Sequence, residues 1–170
     1  MKKLKLIFVG DSMLREKAAE VTKIDENIRE TLNKMEKIMH EERGAGLAAP
    51  QVGLSQRMLL FTDLDKNIVY KVINPQILSR SEKIIRMEEG CLSIQGPDGP
   101  IFAKVERPET LVCEWTDENN EKVIKELSGT SARALLHEID HLDGILFIDY
   151  LSSVKREMII RKTKKRKLVM

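Results

Sequence analysis

At 170 residues, with 42% hydrophobic and 33% charged side chains, the chain is long enough for one domain with a sizeable core, and its composition excludes a disordered protein. No apolar run approaches the roughly 20 residues that a bilayer-spanning helix needs, and the apolar stretch at residues 4–9 is cut off by Gly10-Asp11 too soon for a signal peptide. The net charge of +2 conceals an asymmetry: residues 154–170 hold eight Lys/Arg and one acid, which leaves 21 basic and 26 acidic groups on the rest of the chain.

In chain order, Leu4, Leu6 and Phe8 alternate with Lys3, Lys5 and Ile7, which predicts a short N-terminal strand or extended segment, and Gly10-Asp11-Ser12 reads as a turn. Ile28, Leu32, Met35 and Met39 recur every three or four residues, which predicts an amphipathic helix over residues 25–42 with Asp25 as its cap and Gly44 just beyond its end. His40, at the end of that helix, reads as a solvated side chain. The small residues of Gly44-Ala45-Gly46-Leu47-Ala48-Ala49-Pro50-Gln51 suit either a plain loop or a close backbone approach. Residues 57–64 and 68–74 read as a hairpin ended by Pro75, and residues 77–87 as a further strand. A Gly/Pro-rich loop is expected at 95–100, followed by a second hairpin in which Leu111, Cys113 and Trp115 share a face and Asn119-Asn120 makes the turn. Cys113 therefore reads as a small core residue. With two cysteines far apart, no disulfide framework is expected, and a reducing cytoplasm is.

Residues 129–142 are expected to form a buried helix capped by Thr130 or Ser131. It contains His137-Glu138-Ile139-Asp140-His141, the pattern His-Glu-x-x-His. Positions i and i+4 lie on one helical face, so the two imidazoles can hold one metal ion, and Glu138 can act as a base on water that the metal polarises. A catalytic site needs a third protein ligand. Cys91 and Cys113 are the soft candidates, and Cys91 is favoured because it sits in a glycine-containing loop. Asp140, an acid in a buried helix, needs a partner, and Arg107 is a candidate. Residues 145–148 form a short apolar bridge, and the tail is helical in pattern before it turns purely basic.

Three stretches then carry a family resemblance. Gly44-Ala45-Gly46-Leu47-Ala48-Ala49-Pro50-Gln51, Glu89-Gly90-Cys91-Leu92-Ser93 and His137-Glu138-Ile139-Asp140-His141-Leu142-Asp143-Gly144 resemble, in order, the three signatures of peptide deformylases. The resemblance implies removal of the formyl group from N-terminal formylmethionine, with release of formate. It implies Cys91, His137 and His141 as ligands of one divalent metal, Fe2+ first, with Zn2+, Ni2+ or Co2+ able to substitute. It also implies Glu138 as general acid/base, Gln51 and the Leu92 N–H as oxyanion donors, and Gly46 as a contact to the substrate backbone. Met87 and Ala134, by their proximity to Glu89 and His137, are expected to line the methionine pocket, with Glu89 counted among the substrate-binding residues.

The chain departs from the common family pattern at Ser12, Ala45, Gln95 and Leu136, which leaves ligands, base and oxyanion amide intact but bears on substrate preference. A zinc peptidase shares His-Glu-x-x-His but needs a downstream third ligand that is not evident. A binding module with a structural metal would need Cys113 as a fourth ligand. The expected architecture is α+β: a single catalytic domain over residues 1–170 with short antiparallel sheets packed around the buried helix that carries His-Glu-x-x-His, an N-terminal amphipathic helix and a C-terminal helix. The expected partners are N-formylmethionyl peptides and, through the basic tail from Lys155 to Lys167, the ribosome, with neither DNA nor a membrane.

Overall fold

A computed structural model describes the backbone of residues 3–169 and the side chains of residues 3–166. In chain order the elements are α1 (Glu26–Glu41), β1 (Gly46–Ala48), β2 (Met58–Asp63), β3 (Ile68–Arg80), β4 (Ile84–Glu89), β5 (Gln95–Gly96), β6 (Gly99–Pro100), β7 (Ala103–Pro108), β8 (Thr110–Thr116), β9 (Lys122–Ser128), α2 (Gly129–Leu142) and α3 (Ser153–Val169), with short 3-10 turns between some of them. The strands form an antiparallel five-stranded sheet in the order β1-β2-β3-β8-β9 and two small hairpin-like pairs, β4-β7 and β5-β6. This is the expected α+β architecture.

β2 shows why the molecule has layers. Leu59 and Phe61 face α2 and join Leu135, Leu136, Ile139 and Leu142 in one core with Cys113 and Trp115. Met58 and Leu60, on the alternate face, join Ile28, Leu32, Met35 and Met39 of α1 in another. A strand covered on both sides reads as a continuous apolar run, which is what Met58-Leu59-Leu60-Phe61 is. A third core gathers Cys91, Ile94 and Val105 with Phe147, Ile148 and Ile159, and so fastens α3 against the loop that carries Cys91.

α1 has its expected start, with the Asp25 carboxylate accepting from the Ile28 N–H at 3.1 Å. Its end differs from expectation. The left-handed residue is Arg43, at φ 57°, and the glycine at 44 serves a close approach, since a Cβ there would lie 2.7 Å from Leu92 Cδ1. The N-terminal segment is extended but pairs with no strand. Its Ile7 N–H donates to the Gln51 carbonyl and its Val9 N–H to the Ser93 carbonyl, both at 2.8 Å, so it ties two separate loops together.

Pro75 does not end β3. Asn74 sits at φ 51° and the register shifts between Ile73 and Gln76, so the missing proline N–H falls at a bulge, where no ladder bond is lost. Ile77 therefore belongs to β3, the strand expected over 77–87 divides in two, and β7, which no alternation announced, pairs with β4. The expected loop at 95–100 is the β5–β6 pair, and the stretch from Gly46 is a strand and a 3-10 turn in place of a plain loop. α2 starts after Ser128, not Thr130 or Ser131; the Ser131 hydroxyl instead donates to Asp63 Oδ1 at 3.1 Å. His40 lies exposed beside Glu36 at 3.6 Å. Among the described residues no helix is long and apolar enough to cross a membrane.

Gly144, just past α2, combines φ 72° with backbone contact: a Cβ there would come 2.5 Å from the Arg15 carbonyl oxygen. Gly144→Ala is expected to cost roughly 2–3 kcal/mol, read as a lowered midpoint in urea denaturation with an unchanged slope.

Candidate active site

Three elements converge below a cavity of about 550 Å³. α2 supplies His137, Glu138 and His141; the loop after β4 supplies Cys91; the 3-10 turn after β1 supplies Gln51. The helical spacing puts the two imidazoles face to edge with centroids 5.1 Å apart, and Cys91 Sγ stands 3.3 Å from His141 Nε2. One donor atom from each of Cys91, His137 and His141 falls within 4.8 Å of the others, and all three residues are buried. Among the described residues this is the one such cluster, and both cysteines are free thiols. Cys113 lies fully buried in the core of the sheet, where burial pushes its thiol up to about 11. It cannot serve as a fourth ligand, which removes the basis for a closed structural site.

The orientation of His137 comes from Glu89, whose Oε1 meets His137 Nδ1 at 2.9 Å and so turns the other ring nitrogen toward Cys91. Burial alone would depress this imidazole, but its hydrogen bonds with Cys91 and Glu89 outweigh it and hold the group well above its usual range. Such support raises the basicity of a ligating nitrogen. His141 goes the other way: burial and the nearby cationic His137 and Arg107 keep it well below its usual range, neutral and able to offer a lone pair.

Glu89, expected among the substrate-binding residues, borders the cavity, and both of its oxygens are held by protein groups. Arg107 grips both, at 2.7 and 2.8 Å, and Arg133 adds a contact of 2.6 Å to Oε2. Burial works against the ionised form, but these partners hold its carboxyl far below the usual carboxylate range. The expected Arg107–Asp140 pair is present at 2.7 Å, and the Tyr150 hydroxyl donates to the same Asp140 oxygen at 2.8 Å. The partnership of Glu89 with Arg107 and Arg133 was not anticipated. Its signals were present: Arg133 precedes His137 by one helical turn, and alternation along β4 puts Glu89 on the inner face.

Glu138 is buried beneath Gly46. A Cβ at position 46 would lie 2.5 Å from Glu138 Oε1, so only glycine lets the carboxylate pass so close to β1. Burial, opposed by the charge of His137, lifts the Glu138 carboxyl to about 7, and its Oε2 has no hydrogen-bond partner among the described residues. A buried acid balanced near neutrality with an unsatisfied oxygen suits proton transfer. Gln51 is held by its own carbonyl, which accepts from the Ala48 N–H at 2.9 Å. This turns the amide nitrogen toward Ser93 Oγ at 3.1 Å and Cys91 Sγ at 3.5 Å, a donor aimed into the site. Ser93 is a member of the site that sequence reasoning did not single out.

The remaining expectations fall as follows. Leu92, Met87 and Ala134 line the cavity, as do Ala45 and Gly46. Gln95 donates to the Leu92 carbonyl at 3.1 Å and so steadies the peptide beside Cys91. Leu136 packs into the core toward the sheet, away from the donors.

A family model described as polypeptide deformylase matches residues 3–157. The peptide deformylase of Rhizobium meliloti is 42% identical over 161 residues, covering 92% of this chain and 90% of that protein. That of Thermotoga maritima is 42% identical over 153 residues, 90% of each chain. The crystal structure of peptide deformylase from Ehrlichia chaffeensis in complex with actinonin superimposes with a TM-score of 0.92 at 36% identity, covering 98% of this chain and 99% of that one.

The Glu89 network generates a stability test. Arg107→Ala leaves Glu89 and Asp140 without their shared cation and should destabilise the fold by about 3–5 kcal/mol, measured by denaturant unfolding of the purified variant.

Proposed function

The chain belongs to the polypeptide deformylase family, an enzyme that removes the formyl group from the N-terminal formylmethionine of polypeptides, and from this premise we propose the division of labour within its site. Cys91, His137 and His141 hold one divalent metal ion, Fe2+ in preference to Zn2+, Ni2+ or Co2+. The donor set fits such an ion: a thiolate and two imidazoles, buried, converging within 4.8 Å, with His137 oriented from behind by a carboxylate. When bound, the metal supplies Lewis acidity to the formyl carbonyl and to water.

The chain's own groups do the rest. Met87 and Ala134 receive the methionine side chain, and Gly46 meets the substrate backbone. Glu138 takes a proton from the attacking water on its carboxylate and passes it to the departing amine nitrogen, so one group serves as base and then as acid. As the formyl oxygen becomes negative, the Gln51 amide and the Leu92 N–H donate to it; one such donor typically contributes about 2.7–4 kcal/mol to the barrier reduction. Gln51 does so without reorganising, because Ala48 and Ser93 already fix its plane. The observation that carries this reading is the single cavity floor where three convergent metal donors, an unsatisfied buried carboxylate and an oriented amide meet.

The exposed cations of α3 are proposed to contact ribosomal RNA in the cytoplasm, placing the site near emerging formylated chains. The support is eight Lys/Arg against one acid over residues 154–170, on a helix whose described part packs on the body: Ile159 is buried and the Arg166 guanidinium stacks 3.6 Å from the Phe8 ring centre.

Formate release from formyl-Met-Ala peptides by anaerobically prepared protein tests the assignment. Glu138→Gln should lose about 10²–10⁴-fold in rate with its metal content unchanged, whereas Cys91→Ala should lose the metal; full activity in the first or stoichiometric metal in the second refutes the corresponding role. For the tail, reversing the charge of Arg161, Lys164 and Lys165 should abolish salt-sensitive co-sedimentation with ribosomes while leaving peptide turnover intact; undiminished co-sedimentation rules the contact out.

A further inference from the structure

Among the described residues, two of the most exposed large apolar side chains, Leu64 at 59% and Phe102 at 60%, border the reaction cavity. They belong to different walls. Leu64 follows β2, which pairs with β1, and the Thr62 N–H donates to the Ala45 carbonyl at 2.8 Å, so Leu64 rises beside the small Ala45. Phe102 precedes β7 on the side of β4, and its ring lies over Gly90, where a Cβ would come 2.6 Å from the ring edge. The reacting groups below them, Cys91, His137 and Glu138, are buried.

We propose that Leu64 and Phe102 form an outer apolar clamp that selects the two residues after the formylmethionine of the peptide, favouring bulky apolar side chains there. The inference rests on the deformylase reading. With the formyl end at the buried floor and the methionine side chain against Met87 and Ala134, an extended chain advances about 3.3 Å per residue, so the next residues emerge at the rim between the two walls. Apolar side chains exposed singly on a surface need no explanation, but two that border one catalytic cavity from separate walls offer a substrate a surface to dehydrate. Position 45 sharpens the point. The alanine there is small, and Leu64 offers the larger apolar surface at that part of the rim.

The test compares kcat/KM for formyl-Met-Leu-Leu and formyl-Met-Asn-Asn, side chains of similar size and opposite polarity, in the wild-type metalloenzyme and in a Leu64→Ser/Phe102→Ser variant. The wild type should favour the leucine peptide by about tenfold or more, chiefly through KM, and the variant's ratio should fall to between one and two. Equal treatment of the two peptides by wild type overturns the proposal. So does a variant that slows both peptides alike and keeps the wild-type ratio, which is what a merely structural effect of Phe102 on the Gly90–Cys91 loop produces. Absence of formate release from every peptide, including formyl-Met-Ala-Ala, refutes the deformylase reading itself and the clamp with it.

Discussion

The site depends on a buried carboxylate whose two oxygens are both held by protein groups. Glu89 sits at the end of β4 and is held by Arg107 from β7, by Arg133 from α2 and by His137 of the metal-binding cluster. Two arginines around one carboxylate leave a surplus positive charge, which Asp140, one turn along the same helix, takes up through Arg107. The result is a hydrogen-bonded network of opposed charges that joins the small β4-β7 pair to the central helix at the level of the metal donors. A buried charge lacking any one of these partners would be strongly destabilising, and the same bonds that remove that penalty fix the plane of His137. Stability and ligand orientation thus rest on one set of contacts.

The opposite wall is held by close approach more than by charge. Gly46 lets Glu138 rise against β1, and Gly44 admits Leu92. Gln51 is pinned from two sides: its side chain by Ala48 and Ser93, its backbone carbonyl by Ile7 of the N-terminal segment. That segment also bonds Ser93, so the loop bearing the oxyanion amide and the loop bearing Cys91 are fastened to the same piece of chain. Their separation is set by those two backbone hydrogen bonds together with the direct bonds of the Gln51 amide to Ser93 and Cys91, which gives a preorganised floor.

The parts legible in the sequence were those whose signal is local. Helical periodicity revealed α1, the His-Glu-x-x-His spacing placed two donors on one face, β-rich runs about a turn exposed the pair β2-β3, and alternation exposed β8-β9. What escaped was decided by distant partners. Pro75 reads as a strand end, yet β3 continues because Asn74 takes a left-handed turn and its side chain bonds the Val21 backbone in both directions. β7 alternates weakly because one face is solvated Lys104 and Glu106 while the other carries Arg107, a charge made inward-facing only by Glu89 and Asp140. The role of Glu89 as an anchor escaped for a related reason: only the folded register shows that its oxygens point to the arginines.

The departures from the family pattern can be weighed in the same terms. Leu136 adjoins His137 in sequence, but one residue is a rotation of 100° on a helix, and its side chain joins the core against the sheet. An apolar residue there exchanges a polar neighbour of the site for packing and leaves every donor in place. Gln95 stands where a proline is common, and in exchange for lost rigidity it donates to the Leu92 carbonyl, restraining the loop just after Cys91. Of these three, Ala45 alone lies on the cavity. Leu136 and Gln95 are thus absorbed by the scaffold, while Ala45 changes the surface that a substrate meets.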